Sequence, residues 1–247
     1  MLPRFLAPEL PGHVFALPPE ESAHAARVLR LRRGDALLVF DGHGRQVRAS
    51  VERIDRGAVH VRALGPAPAV PEPAVSLTLL QSVLKTAAMD EVIRNATMMG
   101  VSSIQPVVST HSTVTLPVLV RRHSVARWQR VAVSAAKQCG RAVVPAIRQP
   151  EPFEAATAGP VGTSIRLLLA EPAAHRPSTR SVRSIAGARR PASAMVAVGP
   201  EGGWTPAEVA GAEANGFVTV GLGGRVLRAD AVSLAAIAVL QFVWGDL

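Results

Sequence analysis

The sequence has no tyrosine, a single cysteine (Cys139), and only two lysines, Lys85 and Lys137, among its 27 basic residues. One cysteine excludes a disulfide scaffold and a cysteine-rich zinc site. Aromatic residues make up 4% of the chain, too few for a sheet that stacks several exposed bases. The seven histidines show no HExxH pattern and no ligand spacing, so no metal is expected. No GxSxG turn points to hydrolase chemistry. No run of about 18 residues is apolar without proline or polar breaks, so no membrane span is expected. The opening residues, MLPRFLAPEL, lack the apolar centre of a secretion signal. What remains is the profile of a soluble, cytoplasmic, basic protein.

Acids are also missing, in two long stretches. Between Glu91 and Glu151 there are none, but there are eight basic residues: Arg94, Arg121, Arg122, Arg127, Arg130, Lys137, Arg141 and Arg148. Between Glu171 and Glu201 there are again none, beside Arg176, Arg180, Arg183, Arg189 and Arg190. The whole net charge of +9 comes from these stretches. Acid-free basic segments suit a polyanion, because each neutralised phosphate releases counterions. Arginine also suits bidentate phosphate contacts. An arginine-rich surface set by genome composition is the competing explanation.

The chain has 247 residues, 48% hydrophobic and 18% charged, which is ample for a core and larger than one average domain. Residues 1–64 read as a small β-rich unit. Acids after Pro18-Pro19 start a short helix through Leu29. Three strands follow, at 36–40, 46–54 and 58–64, with an Asp41-Gly42-His43-Gly44 turn after the first. Four prolines within 65–73 mark a stiff linker and a domain boundary. From residue 75 strands alternate with helices, which implies a mostly parallel sheet covered by helices. The helix at 86–99 buries Met89, Val92, Ile93 and Ala96. The helix at 125–139 buries Val125, Trp128, Ala132, Ala135 and Cys139. Its other face, Arg127, Arg130, Ser134, Lys137 and then Arg141, forms a polyanion-binding surface or an ordinary solvated face. Thr205, Pro206 and Glu208 spell a capping box, and Gly216 ends that helix.

Two glycine-bearing loops each lie between a strand and a helix. The first is Val198-Gly199-Pro200-Glu201-Gly202-Gly203-Trp204-Thr205. The second is Gly221-Leu222-Gly223-Gly224-Arg225-Val226-Leu227-Arg228-Ala229-Asp230. Neither is GxGxxG or a Walker loop. If their strands are adjacent, the loops form one crevice of the kind that binds ligands in open α/β sheets. A plain strand–helix turn is the alternative for the first loop. His111 and His123 read as surface or loop residues.

These loops carry a family resemblance. GPEGG followed by TPAE, then LGGRVLR and an apolar helix, resembles the 16S ribosomal RNA uridine-N3 methyltransferases of the RsmE type, within the SPOUT superfamily. Nearly the whole chain takes part. Pro3-Arg4-Phe5, His24 through Arg30, Gly34-Asp35 and Phe40-Asp41-Gly42 are similar to the family's opening features. Lys85, Ala96-Thr97, Gly100-Val101 and Pro106 match its middle, and Gln138, Gly140, Arg141 and Pro145 its QxGRxxxP stretch. The chain departs where it reads Lys85 through Asp90 for KGDRxE and Asn95 through Gly100 for KATELG. It departs again at Leu227 through Leu234, with Asp230-Ala231 in place of Glu-Thr.

The resemblance implies a PUA-like RNA-binding barrel over 1–68 and a trefoil-knotted α/β methyltransferase domain over 74–247. It implies S-adenosylmethionine as cofactor, held by Leu169, Ala170, Glu171, Val198, Gly199, Pro200, Glu201, Gly202, Gly203, Leu222, Gly223, Val226, Leu227 and Arg228. Arg228 and Asp230 are the expected catalytic pair, although Asp230 equally suits a helix N-terminus. Expected RNA contacts are Arg4, Arg30, Lys85, Arg127, Arg130, Lys137 and Arg141, and the partner is 16S ribosomal RNA or the small subunit. A homodimer through the knotted domain is also implied, its interface supplied by the last helix. The departures motivate a second reading, an RNA-binding paralogue that has lost methyl transfer. A dinucleotide-using enzyme is a third, disfavoured by the missing GxGxxG.

Overall fold

The computed structural model describes residues 2–10, 12–159, 165–171, 180–182, 184, 190–244 and 246. Arg176, Arg183 and Arg189 lie outside them. By its internal packing the chain divides into two units. One joins Met1–Glu72 to Val133–Val144; the other joins Pro73–Ala132 to Pro145–Leu247.

The first unit holds a mixed five-stranded sheet, ordered β1-β3-β4-β5-β2. The strands are β1 (Arg4–Leu6), β2 (Val14–Ala16), β3 (Ala36–Phe40), β4 (Gln46–Asp55) and β5 (Ala58–Pro66). β1 and β2 are too short for periodicity to reveal. The β4–β5 hairpin turns at Arg56 and Gly57, both at positive φ (46° and 87°), the tight-turn geometry that matches strand twist. Asp41 shapes the turn after β3, its Oδ1 accepting from the backbone N–H of His43 (2.7 Å) and Arg45 (3.0 Å). One face of the sheet buries Phe5, Leu37, Val39, Val51, Val59 and Val61, the apolar half of the alternation along β4 and β5. Helix α1 (Pro19–Ala23) continues as a wider π turn, His24–Val28. Strand β5 runs two residues into the expected linker, and Gln46 holds it further with an Nε2 bond to the Pro68 carbonyl.

The second unit is built on an all-parallel sheet ordered β11-β13-β10-β12-β6-β7-β8, with β9 also on β7. Its central strands are β6 (Ser76–Ser82), β7 (Ser103–Val108), β10 (Ile165–Leu169), β12 (Ser193–Val198) and β13 (Val218–Gly221); β8 (Ala146–Ile147), β9 (Glu151–Pro152) and β11 (Arg180–Ser181) are two-residue strands. Among the described residues its helices are α2 (Thr86–Met98), α3 (Leu116–Arg121), α4 (Ser124–Cys139, which from Val133 on belongs to the first unit), α5 (Phe153–Thr157), α6 (Pro206–Ala214) and α7 (Ala229–Trp244). Leu80, Val107, Phe153, Leu168, Ala197, Val209 and Phe217 form a core between sheet and helices. The capping box on α6 forms as the sequence predicts: Thr205 Oγ1 accepts from the Glu208 N–H while Glu208 accepts from the Thr205 N–H.

The two glycine-loop strands are not adjacent. β10 lies between β12 and β13 and pairs with both. The loop after β10 therefore enters the same crevice, and three strand ends meet there rather than two.

Candidate active site

The C-terminal ends of β13, β10 and β12 open into a cavity of about 700 Å3, the size of a small-molecule or cofactor site. Residues 169–171, 198–204, 222–223 and 225–230 line it. All fourteen residues expected to hold the cofactor are on this wall. Leu84, Ala88, Pro206, Val209, Thr219 and Val232 complete it; spacing gave no sign of them, because they come from helices, a strand and the segment before α2, outside the glycine loops.

Backbone dominates the wall where glycines allow close approach. Gly203 has φ +69°, and a Cβ on Gly199 would come within 3.2 Å of the Trp204 ring. Trp204 itself stacks on Phe153, centroids 4.2 Å apart, and donates its Nε1–H to the Leu169 carbonyl (3.0 Å). One side chain thus ties the β12 loop to the end of β10. His111, from the loop after β7, donates through Nδ1 to the carbonyls of Gly202 (2.9 Å) and Gly203 (3.1 Å). Glu208 makes a third tie. Its Oε1 accepts from the N–H of Thr110 (2.7 Å) and its Oε2 from the N–H of Thr205 (2.8 Å), with both hydroxyls adding bonds. Burial would push the Glu208 carboxyl up, but these backbone and hydroxyl donors outweigh it and hold the group below its ordinary value.

At the start of α7, Arg228 Nη2 donates to Asp230 Oδ2 at 3.1 Å. The Arg228 side chain is 83% exposed and that of Asp230 21%. Asp230 Oδ1 also accepts from the Ala231 N–H (2.9 Å), so it serves its helix terminus as well as facing the cavity. Glu171, Glu201 and Asp230 supply carboxylates to the wall, and Arg225 and Arg228 supply guanidiniums. Among the described residues no group of three His, Cys, Asp or Glu side chains is placed to hold a metal ion, and no helix is long and apolar enough to cross a membrane.

Residues 71–241 match the family model of an RNA methyltransferase domain, and residues 17–64 that of an RNA methyltransferase PUA domain. The chain is 33% identical over 241 residues to the ribosomal RNA small subunit methyltransferase E of Mycobacterium tuberculosis, covering 94% of this chain and 89% of that one. It is 32% identical over 216 residues to the Synechocystis protein of the same name (87% and 68%). The chain belongs to the ribosomal RNA small subunit methyltransferase E family. A crystal structure of the Neisseria gonorrhoeae family member bound to S-adenosyl methionine superposes over the full length of both chains, with a TM-score of 0.89 and 30% identity.

For a family member, the fate of the basic residues matters as much as the cavity. Arg30 is exposed at positive φ (53°), just after the π turn. Lys85 is exposed immediately before α2, and Arg130 is exposed on α4. Arg127 is exposed but bidentate to Asp90, its Nε 3.1 Å from both carboxylate oxygens. The other end of the expected face is not a free surface. Lys137 pairs with Glu21, and Arg141 is buried with Nη2 at 2.5 Å from Glu72. Arg4 is half-buried over the Phe40 ring and donates to the Arg141 carbonyl (2.8 Å); burial lowers its pKa. A continuous solvated stripe from Arg127 to Arg141 therefore does not form. Acids far away in sequence, Glu21 and Glu72, neutralise its second half, and helical spacing alone could not show them.

Proposed function

We propose that this chain transfers the methyl group of S-adenosylmethionine to N3 of a uridine in 16S ribosomal RNA, in the cytoplasm. The observation that carries this reading is the cavity at the ends of β10, β12 and β13, with Arg228 and Asp230 on its wall. The cofactor bears a sulfonium, an ammonium and a carboxylate. The cavity offers Glu171, Glu201 and Asp230 for the cations, Arg225 for the anion, and loop backbone for the adenosyl part. Its apolar walls and a size of about 700 Å3 suit a ligand of that kind. When bound, S-adenosylmethionine supplies an already activated methyl group.

The protein's own work is then positioning and proton removal. Holding donor and acceptor in line replaces a bimolecular encounter with a pre-oriented one. Neutral uracil is a poor nucleophile near pH 7, and N3 must lose its proton. A guanidinium favours a nearby anion, which is the role assigned to Arg228. Asp230 is assigned to take the proton, its carboxylate held in reach of the cavity by Arg228 and the Ala231 N–H. A trefoil knot through the three loops, a PUA-like barrel in the first unit and a homodimer complete the proposal. The α7 residues Leu234, Val239 and Phe242, exposed at 36%, 37% and 72%, support a second copy packing there.

The test is calorimetry with S-adenosylmethionine, followed by methyl incorporation into small subunits from a deletion strain and mass spectrometry of the modified nucleoside. N3-methyluridine formation supports the reading, and Arg228→Ala and Asp230→Asn should each slow transfer by about 100-fold while donor affinity changes far less. Donor binding without transfer to any ribosomal RNA would favour the paralogue that has lost catalysis.

A further inference from the structure

We propose that a second cavity in the methyltransferase unit seats a nucleotide of the RNA substrate flanking the target uridine. This rests on the reading that RNA is the substrate. The cavity has a volume of about 390 Å3 and lies beside the first, with Leu84 lining both. Its floor is apolar: Met89, Leu119 and Trp128 are all buried. Trp128 contributes an indole to that apolar floor, against which a base of any identity can pack.

The rim is cationic and rich in donors. Arg122 is exposed and has no ion pair among the described residues. Arg127 stands on the same rim, oriented by Asp90. Ser124, 7% exposed as a residue, also lines the cavity and brings a hydroxyl to it. Thr86 and Ser124 are the first residues of α2 and α4, and neither helix has an acid in its first turn. Both positive helix ends are therefore available to a phosphate. An apolar peptide would satisfy the floor but leave these donors and cations unused. A nucleotide satisfies both, with its base on the floor and its phosphate at Arg122.

The test uses the full chain, the 16S ribosomal RNA as probe, and two variants. Arg122→Ala removes an exposed cation without disturbing the core. Val114→Trp fills the cavity from its half-buried edge. RNA affinity is measured by filter binding over a range of salt, KM and kcat by methyl incorporation, and donor affinity by calorimetry. Both variants should weaken RNA binding and raise KM for the RNA by about tenfold, with kcat and donor affinity unchanged. Arg122→Ala should also lower the salt slope by about one. If RNA affinity and salt slope stay at wild-type values in both variants, the cavity does not hold RNA. If the wild-type protein transfers no methyl group, the proposed function fails, while the binding arm still decides the cavity.

Discussion

Single side chains hold the cofactor cavity in shape, and two of them can be tested apart from catalysis. Trp204→Phe keeps the stacking on Phe153 but leaves the Leu169 carbonyl without its donor. That loss costs about 1–3 kcal/mol and falls on the loop between β10 and the cavity. Donor affinity measured by calorimetry should weaken by about tenfold, with a small drop in melting temperature. Glu208 has a pH signature. Its pKa is depressed in the folded state, so its stabilising contribution is complete above the unfolded carboxyl value of about 4.3. That contribution is lost as pH falls through the lower folded value. Glu208→Gln should therefore be less stable than wild type at pH 7 in urea unfolding, and the difference should shrink below about pH 4. Equal stability of the two proteins at pH 7 would refute this. Glycines and the capping box were legible in the sequence because they act within a few residues. The partners of His111, Trp204 and Glu208 were not, since Gly202, Leu169 and Thr110 meet them only after the sheet has formed.

Among the elements, α4 and its continuation differ most from what periodicity predicts. The 3/4 spacing locates the helix and three of the five residues expected inside, Trp128, Ala132 and Ala135, while Val125 and Cys139 are only partly buried. It cannot tell whether the opposite face meets water or protein. Residues 133–144 belong to the first unit, where Val143 bridges to Gly42 and His43 and Arg141 meets Glu72. The proline-rich stretch 65–73, read as a stiff linker and domain boundary, also supplies the acid that holds this return. Breaking a fully buried ion pair costs about 3–5 kcal/mol. Glu72 is a third exposed, so Glu72→Ala should cost less, about 2 kcal/mol. Thermal unfolding should show that loss, while donor affinity, set in the other unit, stays constant. A melting temperature equal to wild type would mean that Arg141 gains nothing from the pair. The short strands β1, β2, β8, β9 and β11 escaped sequence reading for a different reason: two or three residues carry too little pattern.

Across the whole molecule, the strand order turns local sequence signals into one site. Alternating strands and helices implied a parallel sheet, but only pairing reveals that β10 lies between β12 and β13. The charge is also reassigned at this scale. A formal +9 suggested that the basic face of α4 grips RNA along its whole length. The ion pairs divide that face into a free part and a structural part, which makes different predictions for residues that look equivalent in sequence. Each lost phosphate contact lowers the salt slope of binding by about one. Arg130→Ala should do so for 16S ribosomal RNA, since Arg130 is exposed and has no ion pair among the described residues. Arg127→Ala should lower it by less, because Asp90 already neutralises part of that charge. Arg141→Met should leave the slope unchanged and lower the melting temperature instead, because its guanidinium is buried against Glu72. A full unit of slope lost in Arg141→Met, with unaltered stability, would return that residue to the RNA surface and overturn the division.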